Sequence, residues 1–144
     1  MQMPSVVRQV RGCTLACWML ALAPAAAYAC SCAPPTAEGL LQSAPAVFTG
    51  VATGSVPATQ GESITTFTVV EGFKGVHAGQ VVRVRHRSGS SARCGTSFAV
   101  GATHTLSTYR EEVGTSLFAS LCNTAIFRTP AGEQIIRRMR QTPR

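Results

Sequence analysis

Cys30 follows the run Ala27-Tyr28-Ala29 directly and opens Cys30-Ser31-Cys32-Ala33-Pro34-Pro35. Ala27 and Ala29 form the small-x-small pattern of a signal-peptidase site. Cleavage after Ala29 would make Cys30 the first residue, with a free α-amino group. The amine and carbonyl of an N-terminal cysteine can chelate one metal ion together. A disulfide from the same residue would hold that chelating end rigid.

The 29 residues before this junction read as a cleaved signal peptide. Arg8 and Arg11 form a positive start, and Cys13 to Ala23 make an apolar core. That core is far shorter than the roughly 20 residues a membrane-spanning helix needs. The expected mature chain, from Cys30 to Arg144, is one exported, monomeric domain with a modest core. It keeps four cysteines, Cys30, Cys32, Cys94 and Cys122. An even number in a small exported chain predicts two disulfides. A Cys30–Cys32 bridge would close a very small strained ring. Two pairings remain open, and each ties the N-terminal strip to Cys94 and Cys122.

From Cys30 onward the charge is +5, with 11 Lys and Arg against 6 Glu. Most of it lies in residues 128–144, where Arg128, Arg137, Arg138, Arg140 and Arg144 face only Glu133. Solubilisation is the plain reading of this basic tail, and weak contact with an anionic surface is the other. The chain contains no Asp. That removes aspartate-based catalysis and Asp-rich calcium loops. His77, His86 and His104 stand too far apart for a metal-ligand motif. No hydrolytic constellation is present, so the chain reads as a non-enzyme without a cofactor of its own.

The elements that must position Cys30 are short strands separated by turn signals. Strands are expected over residues 46–53, 63–70, 80–87, 103–109 and 115–121. Glu71-Gly72-Phe73-Lys74-Gly75 reads as a turn, and a polar turn near Glu111, Glu112 and Gly114 joins the last two strands. Residues 80–87 alternate strictly. Val82, Val84 and His86 share one face, and Val81, Arg83, Arg85 and Arg87 share the other, the pattern of a half-buried strand. Ser88 to Arg93 forms a loop that ends at Cys94-Gly95. Five strands with no long helix between them predict an all-β fold, a small five-stranded barrel of the OB-fold type, with a sandwich as the alternative. A short C-terminal helix follows, with Thr129 as its cap, Pro130 at its first position, Gly132 as a weak point and an apolar stripe of Ile135, Ile136 and Met139.

The run Cys30-Ser31-Cys32-Ala33-Pro34-Pro35 resembles the mature N-terminus of the tissue inhibitor of metalloproteinases family, whose N-terminal domain is a netrin-like OB-fold. The resemblance continues through Leu40-Leu41, Val47-Phe48-Thr49-Gly50, Thr66-Phe67-Thr68-Val69, Phe73-Lys74-Gly75, Cys94-Gly95 and residues 116–122. It covers about residues 30–127, leaving 128–144 as a basic tail. Gln42 stands where animal members carry a third disulfide cysteine, and their second, cysteine-rich domain has no counterpart. The chain looks like a bacterial, single-domain relative.

The resemblance implies Cys30–Cys94 and Cys32–Cys122 bridges. It also implies a zinc metalloprotease as partner, whose zinc the α-amine and carbonyl oxygen of Cys30 would chelate, displacing the bound water. Ser31 would face the primed-side specificity pocket, and Cys32, Ala33 and Pro34 would lie along the cleft. Ala92, Arg93 and Cys94 would form the adjoining ridge. Only the neutral amine binds zinc, so binding should release protons and weaken in acid.

Three other readings compete. In one, the bridges merely staple the terminus to a non-inhibitory envelope module. A redox Cys30-Ser31-Cys32 pair lacks the two intervening residues and the βαβ context such motifs have. A lipoprotein would acylate Cys30, but Ala27 and Tyr28 match a lipobox poorly. Nucleic-acid binding is not expected, because Arg83, Arg85 and Arg87 carry no interleaved aromatics.

Overall fold

The computed structural model describes residues 30–89, 93–111 and 115–143. The expected signal peptide, Ala92 of the expected ridge, Glu112 and Gly114 of the expected turn, and Arg144 lie outside the described residues.

The chain is mostly β. Strand β1 (Val47–Pro57) and β2 (Glu62–Lys74) form a long antiparallel hairpin. Its tip turns through Gln60 and Gly61, both in the left-handed region at φ 61° and 75°. β3 (Val81–Arg87) lies antiparallel on the free side of β2, and β4 (Thr103–Ser107) on the free side of β1. β5 (Tyr109–Arg110) and β6 (Leu117–Ala119) complete a six-stranded sheet of order β4-β1-β2-β3-β6-β5. Every pairing is antiparallel except β3 with β6. β4 and β5 stand at opposite ends of this order, yet only Thr108 separates them in the chain. The sheet therefore curls until its two edges approach, giving a barrel-like shape.

The expected strand 103–109 is thus two strands. Thr108 is buried, and its side chain takes over a place in the ladder. Its N–H and hydroxyl both donate to the Ala46 carbonyl, at 2.9 and 3.0 Å, while its hydroxyl oxygen accepts from the Ala46 N–H at 3.0 Å. A side chain pairing with the neighbouring backbone redirects the chain there from one sheet edge to the other.

β2 also runs further than its sequence suggests, through Glu71-Gly72-Phe73-Lys74. A Cβ on Gly72 would overlap the Val76 carbonyl oxygen. The glycine serves close backbone approach, while the reversal waits for Gly75 at φ 70°.

Alternation along β1 and β2 builds two cores, because successive strand residues point to opposite faces. Phe48, Ala52, Phe67, Val69, Val82, Val84, Phe98, Leu106 and Ala119 fill the interior of the curl. Phe67 packs edge-on against Phe48 and Phe98 at 5.7 and 5.0 Å. Val47 and Phe73 point outward and meet a second cluster of Ala37, Leu40, Ala44, Phe127 and Met139. That cluster is covered by α1 (Ala37–Ser43) and α2 (Pro130–Gln141). α1 is not among the expected elements; Thr36 caps it by accepting from the Gly39 N–H at 3.0 Å.

α2 begins as expected, with Pro130 at its start and the Thr129 hydroxyl accepting from Gly132 N–H at 3.2 Å. Gly132 is a packing contact rather than a weak point. A Cβ there would overlap the Ile126 carbonyl oxygen and lie 2.5 Å from Phe127 Cα. Two arginines of the basic segment are tied to the body. Arg138 pairs with Glu38 of α1 at 3.1 Å, and Arg140 grips Glu71 of β2 through Nε and Nη2 at 2.9 and 2.6 Å. Among the described residues, no helix is long and apolar enough to cross a membrane.

Candidate functional site

The N-terminal strip is fastened at two points. Disulfides join Cys30 to Cys94 and Cys32 to Cys122, with Cα separations of 5.6 and 5.2 Å. The two receiving segments are themselves joined, since Leu121 N–H donates to the Cys94 carbonyl at 3.2 Å. Thr96 Oγ1 lies 3.3 Å from Thr124 Oγ1 in a buried contact just behind them. The strip therefore sits on one connected platform. Cys30 is half-buried, while Ser31, Cys32, Ala33 and Pro34 are exposed. Pro35 and the Thr36 cap then lead into α1.

Local geometry explains why Cys94 can serve as an anchor. It adopts φ 56°, a left-handed conformation uncommon for a residue with a side chain. Gly95 follows in a buried position, where an added Cβ would come within 3.1 Å of the Gly89 carbonyl oxygen. Thr96 N–H then rejoins the end of β3 by donating to the Arg87 carbonyl at 3.0 Å. A sharp left-handed corner thus raises Cys94 from the end of β3 toward Cys30. On the other side, Ser120 and Asn123 brace the turn that carries Cys122. Both the N–H and the hydroxyl of Ser120 donate to Asn123 Oδ1, at 3.0 and 2.7 Å.

Among the described residues, those of the expected site lie together. Cys30, Cys32, Cys94 and Cys122 are linked, and Arg93 stands exposed beside Cys94. Ala33 and Pro34 border a small depression of about 190 Å³ together with Cys122, Ala125 and Ile126. Ala92 lies outside the described residues.

Sequence reasoning did not reveal a second depression, of about 240 Å³, that Cys94 itself borders. Arg87 and Arg93 border it together with Glu62, Glu111 and Tyr109. Burial, helped by the Glu111 charge, pushes the Tyr109 phenol above its usual value. That phenol stays protonated at neutral pH and can donate a hydrogen bond. Tyr109 stacks on Phe118 at 5.8 Å, and the Arg85 guanidinium lies 5.7 Å from the Phe118 ring centre. The basic face of β3 therefore does meet aromatic side chains, brought by β5 and β6 through cross-strand pairing. The available signal was the aromatic pair Tyr109 and Phe118, one in each of the two expected strands 103–109 and 115–121.

His86 reaches the same platform from inside. It is buried, with Nδ1 2.9 Å from the Thr96 carbonyl and Nε2 2.8 Å from Thr65 Oγ1. A carbonyl only accepts, so Nδ1 carries the proton of the neutral ring, and Nε2 is left with a lone pair facing Thr65 Oγ1. Burial lowers the His86 pKa, opposed in part by backbone hydrogen bonds at Thr96 and Arg87. His104 sits across the Phe98 ring, with Nε2 3.3 Å from the Ala99 carbonyl. Among the described residues, no three His, Cys, Asp or Glu side chains gather where they could hold a metal ion.

This geometry can present an exposed strip of backbone in one conformation. No protein-family model matches the chain, and no curated protein matches it at a significant level.

Proposed function

We propose that the protein is an exported inhibitor of zinc endopeptidases acting through the terminus at Cys30. The observation that carries this reading is the double clamp. Cys30 and Cys32 are bonded to two segments that are hydrogen-bonded to each other, and Ser31, Ala33 and Pro34 between and beyond them remain exposed. A free chain end is mobile, and ordering it on binding costs entropy. A terminus already held in its bound shape loses little more, which is how preorganisation raises affinity. Once freed by cleavage after Ala29, the Cys30 amine and carbonyl would chelate the protease's zinc in a five-membered ring. Ser31 would then enter the adjoining pocket, and Arg93 and Cys94 would line the ridge beside it.

In the same reading the curled sheet is a five-stranded OB-fold barrel, with β4 and β5 as one strand bent at Thr108. The parallel β3–β6 pair and the adjacency of β4 and β5 support this. Two disulfides suit an oxidising compartment outside the cytoplasm.

The test begins with the intact mass and N-terminal sequence of the exported protein, followed by inhibition assays against a panel of zinc endopeptidases. The expected result is a chain starting at Cys30 with an unacylated α-amine that inhibits at least one of them. Adding one alanine before Cys30 should abolish inhibition, and Ser31→Arg should weaken it at least tenfold, with unfolding midpoints unchanged. An acylated Cys30, a start elsewhere, or inhibition indifferent to the added alanine would overturn the proposal. A folded protein starting at an unacylated Cys30 that inhibits none of the panel would favour a binding or structural module on the same framework.

A further inference from the structure

The sheet has a gap between β3 and β6. The two strands pair only over Val84–His86 and Leu117–Ala119. Below that, Val81–Arg83 continue to pair with β2 on one side, while among the described residues no strand pairs with them on the other. A depression of about 480 Å³ opens there. Its floor reaches the interior core at Ala46, Val76, Val82 and Leu117. Arg83, Arg85 and Arg110 stand around it, and among the described residues no carboxylate borders it. Thr115 and Ser116 add hydroxyls at the β6 end.

Two opposite chemistries therefore meet in one slot. Strand alternation places Arg83 and Arg85 on the outer face of β3 and Val82 on the inner face. The missing β-pairing lets a ligand pass from the charged outer face to the apolar floor. Of the three arginines, only Arg85 has a carboxylate partner among the described residues. Its Nε lies 2.8 Å from Glu62 Oε2, at an angle too poor for a hydrogen bond. Guanidinium forks match carboxylate and phosphate oxygens in a bidentate way. The volume lies within the range of small-molecule sites.

We propose that this slot binds a small amphipathic anion, with a carboxylate or phosphate head held by Arg83 and Arg110 and an apolar body against Val76, Val82 and Leu117. The Cys94 anchor leaves β3 after Arg87, four residues and about 13 Å along the strand from Arg83. The site is therefore separate from the Cys30 platform, and its test does not depend on protease inhibition.

The experiment is an amide NMR titration of the disulfide-bonded protein with monomeric octyl phosphate. Parallel arms use inorganic phosphate and vesicles containing anionic phospholipid. Octyl phosphate should give saturable shifts centred on Val81, Val82, Arg83, Ser116 and Leu117, with inorganic phosphate binding at least tenfold more weakly. Arg83→Ala and Arg110→Ala should each weaken octyl phosphate about five- to tenfold, and Arg137→Ala should change nothing. A Val82→Thr variant, keeping the strand and its shape, should weaken octyl phosphate but not inorganic phosphate. The absence of saturable shifts at millimolar ligand overturns the proposal. So does equal binding of inorganic phosphate, indifference to both arginine substitutions, or binding to vesicles without binding of the monomer.

Discussion

Replacing Gly132 with alanine sets helix propensity against packing, and the two predict opposite signs. In an isolated helix, alanine is better than glycine by about 1 kcal/mol. In this fold the added Cβ would overlap the Ile126 carbonyl oxygen, with Ile126 C at 2.8 Å and Phe127 Cα at 2.5 Å. All three atoms are backbone, so no rotamer change relieves the contact. α2 must move by roughly an ångström, and its N-terminal cap on Thr129 and the seat of Met139 move with it. Overpacking a well-filled site costs typically about 1–3 kcal/mol. Against backbone we take the upper end, offset by the gain in propensity, for a net loss of about 2 kcal/mol. Urea unfolding of wild type and Gly132→Ala, with both disulfides intact, measures this difference directly. Limited trypsin digestion gives a second readout, because a loosened α2 exposes Arg137, Arg138 and Arg140 to cleavage. A variant as stable as wild type, with unchanged proteolysis, would refute the packing argument and detach α2 from the domain.

Two further outcomes are expected. His86 should remain neutral below pH 6.5, its ordinary value, because burial lowers its pKa. Between 6.5 and its folded pKa the unfolded chain takes up a proton that the native state refuses. His86 therefore contributes stability above pH 6.5 that falls away as the pH drops, by at most about 1.4 kcal/mol per pH unit. An imidazole NMR titration checks this, and a midpoint at or above 6.5 would contradict it. Removing one bridge with Cys32→Ser and Cys122→Ser frees a loop spanning 90 residues of sequence. The loss should be about 4 kcal/mol in urea or guanidinium unfolding, reduced to the extent that Cys30–Cys94 already restrains the same segment. A loss below about 1 kcal/mol would mean that the remaining bridge and α1 hold the strip alone.

The parts of this protein legible from residue order are those governed by neighbours along the chain. Strict alternation over 80–87 marked β3 and its buried face, and Val82, Val84 and His86 are indeed the buried set. Thr129-Pro130 marked the start of α2, because a cap acts on N–H groups three residues away. The count of four cysteines after Ala29 predicted two bridges. Composition and spacing left their pairing open, and the family resemblance, read from short motifs around those cysteines, implied the pairing that the structure contains.

What tertiary structure alone decided are contacts between residues far apart in sequence. Thr108 ends one strand and starts another because Ala46, 62 positions earlier, offers both a donor and an acceptor. Gly72 and Gly132 read as turn and weak point, since in sequence a glycine shows flexibility and not the backbone pressed against it. The basic segment read as a charged tail, but Glu38 and Glu71 meet its arginines only after α1, β2 and α2 pack together. The same holds at the platform. Sequence put a cysteine at position 30, and the fold supplied the left-handed corner at Cys94 and the Leu121 hydrogen bond that join both anchors. Local preference operates over a few residues, whereas a rigid terminus needs segments 64 and 90 residues away brought to the same place.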